Sequence, residues 1–368
     1  MLPMPILSVL DQSPIRSGGT PAQAIRETLE LAEACDRLGY HRYWLAEHHG
    51  SGGLAGTAPE VLIGQVAART RRLRVGSGGV MLSHYSALKV AENFRVLETL
   101  FPGRIDLGIG RAPGSDQRTA RALRHGPGAL GLAEFPQQVA DVMSFLHDRL
   151  PQGHPFAGIR AMPAGPTAPE VWLLGSSDES AAIAAHLGSA FSFAHFINAD
   201  GGPKVTRAYL DAFRPSPEMP AARASAAVFA MCADTEAEAR RLARSRELFI
   251  VRLYTGRFGP YPSVEEAEAY PYNPHELAII AHAKRRTVVG APEQVREQLT
   301  AMARAYAVDE LVIVSIAHDF KARLRSYELL AEVFDLPRTD VPSNAELSND
   351  AELPYRGHRE GDGLKSNP

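Results

Sequence analysis

Cysteine is scarce in this chain, and its scarcity narrows the classes of protein to consider. Only Cys35 and Cys232 occur among the 368 residues. Two isolated cysteines provide neither a disulfide framework nor the spacing of a metal site. We therefore expect a protein of a reducing compartment, the cytoplasm, and not a secreted domain stabilised by disulfides.

The chain also lacks a dominant charge and a long apolar run. Its 39 basic and 42 acidic residues give a net charge of −3, so no overall field attracts nucleic acid or anionic lipid. The apolar stretch 1–10 has no basic segment before it and is too short to span a bilayer. We interpret it as a first strand rather than a signal peptide, and we expect neither a nucleic-acid nor a membrane partner.

What the sequence does contain is a regular alternation of strand-like and helix-like segments. A hydrophobic content of 45% is enough for a large core, either in one α/β barrel or in two domains. Helical periodicity separates the apolar runs, with capping-box signals at Thr20 and Thr57. Predicted strands fall at residues 6–10, 43–46, 73–80, 105–109, 171–174, 190–193, 226–232 and 311–316.

Alternating βα units indicate a parallel sheet, and about eight units close a (β/α)8 TIM barrel. We expect insertions after strands 4 and 7. An open doubly wound sheet stays an alternative, since periodicity alone does not show closure. Residues 1–336 are predicted to form a single domain, and residues 337–368, which are poor in apolar side chains, a disordered tail.

Two long segments interrupt the alternation near the expected barrel mouth. Residues 112–133 are rich in glycine, arginine and proline, which favours a loop over the mouth. A loop as long and aromatic as residues 254–275 is typical of a lid or an interaction surface. Its aromatic side chains are Tyr254, Phe258, Tyr261, Tyr270 and Tyr272.

The second strand runs directly into Glu47, His48 and His49, and the carboxyl ends of barrel strands are where such enzymes carry their catalytic groups. His48 is a candidate general base or hydrogen-bond donor, with Glu47 as a catalytic candidate beside it. The alternatives are a histidine bonded to a neighbouring loop and a glutamate that caps a helix or pairs with an arginine. Adjacent histidines on an extended strand end coordinate one ion poorly, so no metal site is predicted.

The third strand contains glycines at Gly76, Gly78 and Gly79. Glycine weakens a strand interior unless something approaches the backbone closely. A flat ring system passing over the strand would explain these residues, and so would a β-bulge or a crowded layer of the barrel.

Two turns on adjacent strands predict an anion site. Arg111 ends the fourth strand in a glycine-rich run that is not a dinucleotide fingerprint, and its guanidinium can clamp a phosphate with two parallel bonds. The turn after the fifth strand leads into a helix whose N-terminus attracts anions. Its small residues are Gly175, Ser176, Ser177 and Ser180. The alternatives are a salt bridge from Arg111 to a loop carboxylate such as Asp116, and ordinary N-capping by Ser177.

Six motifs in order along the chain resemble the bacterial luciferase-like flavin monooxygenase family. The resemblance runs from about residue 6 to residue 333. The motifs are W-L-A-E-H-H at 44–49, V-G-S-G-G-V-M-L at 75–82, F-P-G-R-I-D-L-G-I-G-R-A-P-G at 101–114, V-W-L-L-G-S-S at 171–177, V-G-A-P-E-Q-V at 289–295 and D-E-L-V-I-V at 309–314.

This resemblance implies a TIM barrel that binds reduced FMN at its C-terminal mouth. Gly78 and Gly79 would form the peptide beside the isoalloxazine that is often cis in this family. His48 would act near the reactive carbon of the flavin, as a base or as a group that stabilises the activated oxygen. The phosphate would be held by Arg111, Ser176, Ser177 and Ser180, with Gly175 and Ala112 as further cofactor contacts.

Two positions depart from the light-emitting members that the chain resembles. Gly110 stands where those luciferases carry a reactive cysteine, and Ser176 stands where luciferase itself has a glutamate. Light emission is therefore not expected, whereas flavin binding is little affected.

The implied chemistry is oxygenation of a small organic substrate, such as an aldehyde or another carbonyl compound, by O2 and reduced FMN (FMNH2). No nicotinamide fingerprint follows any strand, so a separate NAD(P)H:flavin reductase is the expected source of reduced flavin. A homodimer is common in the family. The alternatives are hydride transfer with the deazaflavin F420, a flavin-binding protein without turnover and, outside the family, a metal-dependent barrel hydrolase.

Overall fold

The structure is a computed structural model that describes residues 4–111, 116–123 and 132–338. At the centre of the described chain lies a sheet whose strands all pair in parallel. The strands are β1 (Ile6–Asp11), β2 (Arg42–Leu45), β3 (Arg74–Met81), β4 (Ile105–Gly110), β5 (Glu170–Gly175), β6 (Ala190–Ala194), β7 (Ala224–Cys232), β8 (Thr287–Gly290) and β9 (Glu310–Val314).

Helices follow the strands and pack around the sheet. They are α1 (Pro21–Leu38), α2 (Pro59–Arg69), α3 (Ala87–Leu100), α4 (Gln117–Leu123), α5 (Phe135–Leu146), α6 (Asp178–Leu187), α7 (Gly202–Ala212), α8 (Glu236–Tyr254), α9 (Val264–Ala269), α10 (Pro274–Lys284), α11 (Pro292–Tyr306) and α12 (Phe320–Val333). Within the described residues, no helix combines the length and the apolar composition needed to cross a bilayer.

Eight of the strands close into a barrel. Strands β1 to β6 pair in sequence order, β6 pairs with β7, and β7 pairs with β9. The ring is completed where β1 pairs with β9, from Ile6 opposite Glu310 to Val9 opposite Ile313. The (β/α)8 barrel predicted from the sequence is thereby confirmed, and the open doubly wound sheet is wrong.

The ninth strand belongs to the insertion after β7. β8 lies beside the C-terminal half of β7, with Phe229 opposite Thr287 and Cys232 opposite Gly290. Neither β8 nor α11 is predicted from the sequence. A strand of four residues is too short for an alternation of apolar and polar side chains to be recognised.

Helix starts follow the predicted capping chemistry at α1 but not at α2. The Thr20 hydroxyl accepts a hydrogen bond from the Gln23 N–H at 3.2 Å, as predicted. The Thr57 cap is wrong, because Ala58 occupies the N-cap of α2 and, in the described part of the chain, its side chain makes no capping bond. Proline at the first position of α2 removes one of the N–H groups that such a cap would serve.

The two long segments contain more regular structure than the sequence analysis predicts. Helix α4 falls inside the expected loop 112–133, and residues 254–275 include α9 and the start of α10. Ser263 caps α9, and Asn273 caps α10 in a capping box with Glu276. Helices this short give too few turns for a visible hydrophobic period. The predicted disordered tail lies, from residue 339 onward, outside the described residues.

A buried ion network joins the strand starts and leaves the opposite ends of the barrel for chemistry. The Asp106 carboxylate accepts bonds from Arg42 at 2.8 Å, from Arg74 at 2.5 Å and from the Trp44 indole at 3.0 Å. Although burial opposes it, the two arginines hold the pKa of Asp106 below its usual value. Arg42 joins three carboxylates on different strands, those of Asp106, Glu170 and Glu310.

Candidate active site

A cavity of about 500 Å³ opens at the carboxyl ends of the strands. The strands and the segments that follow them contribute Gln12, His48, Phe229, Val314 and Ile316 to its wall. Helix α8 and the segment after it form the opposite side, with Phe249, Leu253, Tyr254, Phe258 and Tyr261. This is the end of a TIM barrel at which ligands bind and reactions occur.

His48 lies on this cavity wall, as the sequence analysis requires. Its backbone N–H donates to the Gly56 carbonyl at 2.8 Å, which anchors the residue to the following loop. Its ring Nδ1 is buried and, among the described residues, has no hydrogen-bond partner. Burial, with a smaller effect from neighbouring His49, lowers the pKa of His48 to about 4. The imidazole is therefore neutral near pH 7, and the residue lies on the cavity wall.

The structure does not favour the predicted catalytic role of Glu47, because both carboxylate oxygens already accept hydrogen bonds. The buried carboxylate accepts bonds from the Met81 N–H at 2.8 Å and from the Tyr85 hydroxyl at 2.6 Å. The His49 ring lies 2.8 Å from the same group. These bonds tie the end of β2 to the end of β3. They favour a positioning role for Glu47, and a catalytic role stays a prediction.

The glycines of β3 are explained by the packing of the barrel itself. A Cβ on Gly76 would lie 2.4 Å from the Asp106 carbonyl oxygen, and one on Gly78 would lie 2.5 Å from a methyl group of Leu10. The strand register also shifts between Gly78 and Val80. The bulge and crowding explanations therefore suffice. The peptide between Gly78 and Gly79 is cis, as the resemblance implies, whereas flavin contact by these two residues stays a prediction.

Arg111 and the serine-rich turn come together on the neighbouring strands β4 and β5. Gly110 and Leu174 are register partners, so the two turns leave the barrel side by side. The Arg111 guanidinium donates to the carboxylate of Glu179, in the first turn of α6. Arg111 thus forms a salt bridge, as the alternative interpretation of the sequence expects. The carboxylate comes from Glu179 in helix α6 rather than from a loop residue such as Asp116. Asp116 accepts bonds from Thr119 at the start of α4.

The serines of the turn are placed differently from one another. Ser177 occupies the N-cap of α6, but in the described residues its hydroxyl makes no capping bond, so ordinary capping does not account for it. Ser180 is buried, and a Cβ on Gly175 would lie 2.5 Å from the Ser180 hydroxyl. Gly175 is therefore required for this close approach. Ser176 is partly exposed, and Ala112 lies outside the described residues.

Comparison with known proteins identifies the family. Residues 6–309 match the luciferase-like monooxygenase family. The chain belongs to that family. The uncharacterized protein YwcH of Bacillus subtilis is 48% identical over 89% of this chain and 98% of its own length. The N-acetyl-S-alkylcysteine monooxygenase of the same organism is 41% identical over 89% of this chain and 97% of its own length.

Solved structures of luciferase-like monooxygenases and related enzymes share this fold. The crystal structure of apo-MsnO8 is 42% identical with a TM-score of 0.84, and the match covers 91% of this chain and 99% of that one. An FMN complex of the oxygenating constituent of 3,6-diketocamphane monooxygenase from Pseudomonas putida is 20% identical with a TM-score of 0.66, covering 91% and 100% of the two chains. An F420-dependent secondary alcohol dehydrogenase is 11% identical with a TM-score of 0.66, covering 90% and 99%. The last two show likeness of fold alone.

The cavity of this luciferase-like monooxygenase also contains two arginines that the sequence analysis misses. Arg246 lies in α8, and Arg286 immediately precedes β8. The signal for Arg246 is its place on the buried face of an amphipathic helix, among Leu242, Ala243 and Ile250. An arginine on an apolar helix face needs either a partner in the core or a cavity. Arg286 gives no comparable signal, because it lies at a turn between two short elements.

Proposed function

We propose that this chain is the oxygenating component of an FMN-dependent monooxygenase that uses reduced FMN and O2 on a small organic substrate. The observation that carries the proposal is the arrangement at the barrel mouth. Arg111 meets the N-terminal turn of α6 at the ends of β4 and β5, and at the end of β2 the neutral imidazole of His48 lines a cavity of about 500 Å³. The phosphate of FMN needs donor groups such as those around Arg111, and the flavin ring needs a cavity such as the one that His48 lines.

The donor groups near β4 and β5 fit the phosphate of FMN. A guanidinium, the N-cap hydroxyl of Ser177, which makes no capping bond within the described residues, and the N-terminal amides of α6 are all donors, and the helix dipole favours an anion there. Arg111, Ser176 and Ser177 would hold the phosphate, with Ser180 supporting the turn from below. Glu179 would have to release Arg111, since the carboxylate and a phosphate compete for the same N–H groups.

The protein's own residues would position reactants and keep water away. Reduced FMN, when bound, supplies the electrons that activate O2. The aromatic side chains of Phe249, Phe258 and Tyr261 line the cavity and would limit the access of water to it. His48 would accept or donate a hydrogen bond through its neutral ring, and Glu47 would keep the ends of β2 and β3 in register. Gly78 and Gly79 would lie against the ring.

The partners follow from the same proposal. Since the sequence has no nicotinamide fingerprint, we infer that a separate NAD(P)H:flavin reductase supplies the reduced flavin. A homodimer in the cytoplasm is the expected state. The name of the N-acetyl-S-alkylcysteine monooxygenase supports a small organic substrate, and that compound class belongs in the first substrate panel beside aldehydes and other carbonyl compounds.

Oxygen uptake tests the chemistry directly. FMN is photoreduced without air and mixed with the protein, O2 and each substrate of the panel, and O2 consumption and oxygenated product are measured. We expect product only when reduced FMN and O2 are both present. Turnover without air on reduced F420 would instead identify the hydride-transfer alternative. Rapid NAD(P)H oxidation by the purified chain alone would contradict the separate reductase.

Removal of the proposed phosphate clamp tests the binding site. Arg111→Met should weaken FMN binding by about 10- to 100-fold because a charge-assisted bond to the phosphate is lost. Riboflavin, which lacks the phosphate, should bind wild type and variant equally, as judged by quenching of flavin fluorescence. Arg149→Met is the matched control. Arg149 is an exposed arginine in the segment before β5, and it pairs with Glu218. Equal FMN affinity in wild type and Arg111→Met would remove the phosphate assignment.

A further inference from the structure

Among the described residues, two arginines of the mouth cavity are buried without a carboxylate partner. Arg246 is 9% exposed and Arg286 is 4% exposed. Across residues 4–111, 116–123 and 132–338, neither arginine forms an ion pair, although most other buried arginines of the barrel do. Burial of an unpaired guanidinium costs folding free energy, so a protein retains one where a ligand supplies the missing charge.

Arg246 has an aromatic ring behind it and the cavity in front. Its guanidinium carbon lies 4.2 Å from the centre of the Phe229 ring, a cation–π contact that holds the group flat against β7. No hydrogen bond to Arg246 is found in the described part of the chain. Burial lowers the pKa of Arg246 to about 10, and the charge of nearby Arg286 adds to the effect. Arg246 therefore stays a cation near pH 7.

Arg286 is bonded along one edge only. Its Nη1 donates to the Ile197 carbonyl and lies 3.2 Å from the Tyr254 hydroxyl. Its Nε and Nη2 are buried and, within the described residues, have no partner. These two atoms form the edge of a guanidinium that binds both oxygens of a carboxylate at once. The bonded edge fixes the orientation, and the other edge is left for a ligand.

Much of the remaining cavity wall is apolar and suits the apolar part of a ligand. Leu54, Phe249, Phe258 and Ile316 line it, and its other two arginines already have partners. Arg252 pairs with Glu266 at 3.5 Å, and Arg257 pairs with Glu276 at 2.5 Å. The unneutralised positive charge of the wall is thus concentrated at Arg246 and Arg286.

We propose that Arg246 and Arg286 form a headgroup subsite, so that the substrate of this oxygenase is a small organic acid whose anionic group binds the two arginines and whose apolar part fills the cavity. The proposal rests on the oxygenase function argued above, because it names the substrate class of that same mouth. A bare aldehyde or ketone would leave both guanidinium groups buried without a counter-charge.

An anionic group at this subsite could come from an organic acid or from the phosphate of a flavin, and binding measurements separate the two. The probes are 3-phenylpropionate and 3-phenylpropanamide, which share a shape and differ in charge, together with FMN, riboflavin and inorganic phosphate. Binding to the full chain without flavin is followed by calorimetry at low salt. The variants are Arg246→Met, Arg246→Lys and Arg286→Met, with Arg240→Met, an exposed arginine of the same helix, as control.

We expect wild type and Arg240→Met to bind the propionate at least about 10-fold more tightly than the amide, the usual gain from a charge-assisted bond. Arg246→Met and Arg286→Met should lose that preference, and Arg246→Lys should keep part of it. FMN binding should stay unchanged in all four. Equal binding of the two probes by wild type would overturn the proposal. So would loss of FMN affinity, with riboflavin affinity kept, in Arg246→Met or Arg286→Met, because the subsite would then serve the flavin phosphate.

The melting temperature distinguishes a binding role from a structural one. Because Arg246 has no ion-pair partner in the part of the chain that the structure describes, Arg246→Met should leave the melting temperature of the ligand-free chain unchanged or raise it. A structural arginine would lower it on replacement, and that result would also count against the subsite. These measurements need neither turnover nor reduced flavin. A failure of the oxygenase proposal, seen as absent O2 uptake, is therefore distinguishable from a failure of the subsite.

Discussion

At the scale of single residues, His48 is the group whose replacement should affect the reaction most. Its ring is neutral and lies on the cavity wall. His48→Gln should lower the yield of oxygenated product by about 100-fold, the usual contribution of a positioned acid–base group. FMN affinity should change less than about threefold, since the ring is not part of the phosphate site.

The matched control is His186→Gln, because His186 is exposed at the end of α6. Product and O2 uptake are measured for both variants under the same reduced-FMN assay. An unchanged product yield in His48→Gln would remove its catalytic role. If flavin still bound while wild type gave no product, the alternative of a flavin-binding protein without turnover would gain support.

The same histidine predicts how stability depends on pH. Burial lowers the pKa of His48 from 6.5 to about 4, so the unfolded chain binds a proton more readily than the folded chain. The contribution of His48 is therefore fully present above pH 6.5 and is lost as the pH falls toward 4, by about 3 kcal/mol at most. Urea unfolding at pH 7 and pH 4.5 should show a larger loss for wild type than for His48→Gln. A parallel loss in the two proteins would show that His48 does not titrate this way.

Glu179 is a second residue with a defined expected effect. Its carboxylate holds Arg111 and competes with any anion at that guanidinium. Glu179→Gln should strengthen FMN binding by about threefold or more, the usual scale of an exposed ion pair, and should leave riboflavin binding unchanged. Fluorescence titration of both flavins measures this difference. Weaker FMN binding in Glu179→Gln would mean that Glu179 orients Arg111 rather than competing for it.

At the scale of elements, the segment between α8 and α10 is bonded to the barrel at Tyr261 and Glu266 and has an exposed turn beside Tyr261. Tyr261 is buried, its N–H donates to the Ile15 carbonyl at 2.7 Å, and its carbonyl accepts from the Ser17 N–H at 2.8 Å. Phe258, three residues earlier, is 57% exposed. A strand-like anchor next to an exposed aromatic turn is the arrangement that a lid needs. The lid role stays a prediction.

Arg257 offers a test of that lid. Its guanidinium lies 2.6 Å from the Tyr270 hydroxyl and 2.5 Å from a Glu276 oxygen. Arg257→Met should speed amide hydrogen exchange in residues 255–260 while leaving the urea midpoint of global unfolding close to that of wild type, because the Arg257 side chain is about half exposed. Exchange in β1 and β9 serves as the internal control. Unchanged exchange at 255–260 would show that Arg257 does not restrain this segment.

At the scale of the whole molecule, the buried ions at the strand starts hold the barrel together. Arg42 bonds to carboxylates on β4, β5 and β9, so one side chain joins four strands. Arg42→Met should lower the free energy of unfolding by about 3–5 kcal/mol, because buried carboxylates would lose their counter-charge. Arg240→Met, which breaks an exposed pair within α8, should leave the free energy of unfolding nearly unchanged. Equal urea midpoints for the two variants would contradict this account of the barrel.

The fold was predictable because its signals are local and repeated. Each strand is an apolar run of a few residues, and each cap, such as Thr20 before Pro21, lies within one turn of the helix it starts. The predicted placement of His48 at a strand end follows from the same repeat. Short elements were not predicted because they contain too few residues for a repeating hydrophobic pattern. Strand β8 has four residues and helix α9 has six. Thr57 was misassigned because a capping motif in sequence does not show which residue adopts the cap conformation.

Local pattern alone determined the alternation of strands and helices, the polar ends of β2, β4 and β5, and the resemblance to the luciferase-like monooxygenases. Only the tertiary structure decided that the barrel closes through the pairing of β1 with β9. The same holds for the salt bridge between Glu179 and Arg111 and for the single cavity that Arg246 and Arg286 both line. The physical reason is the range of the interactions. Hydrophobic period and capping act within a few residues, whereas closure, ion pairing and the charge of a cavity depend on residues that are distant along the chain and adjacent in space.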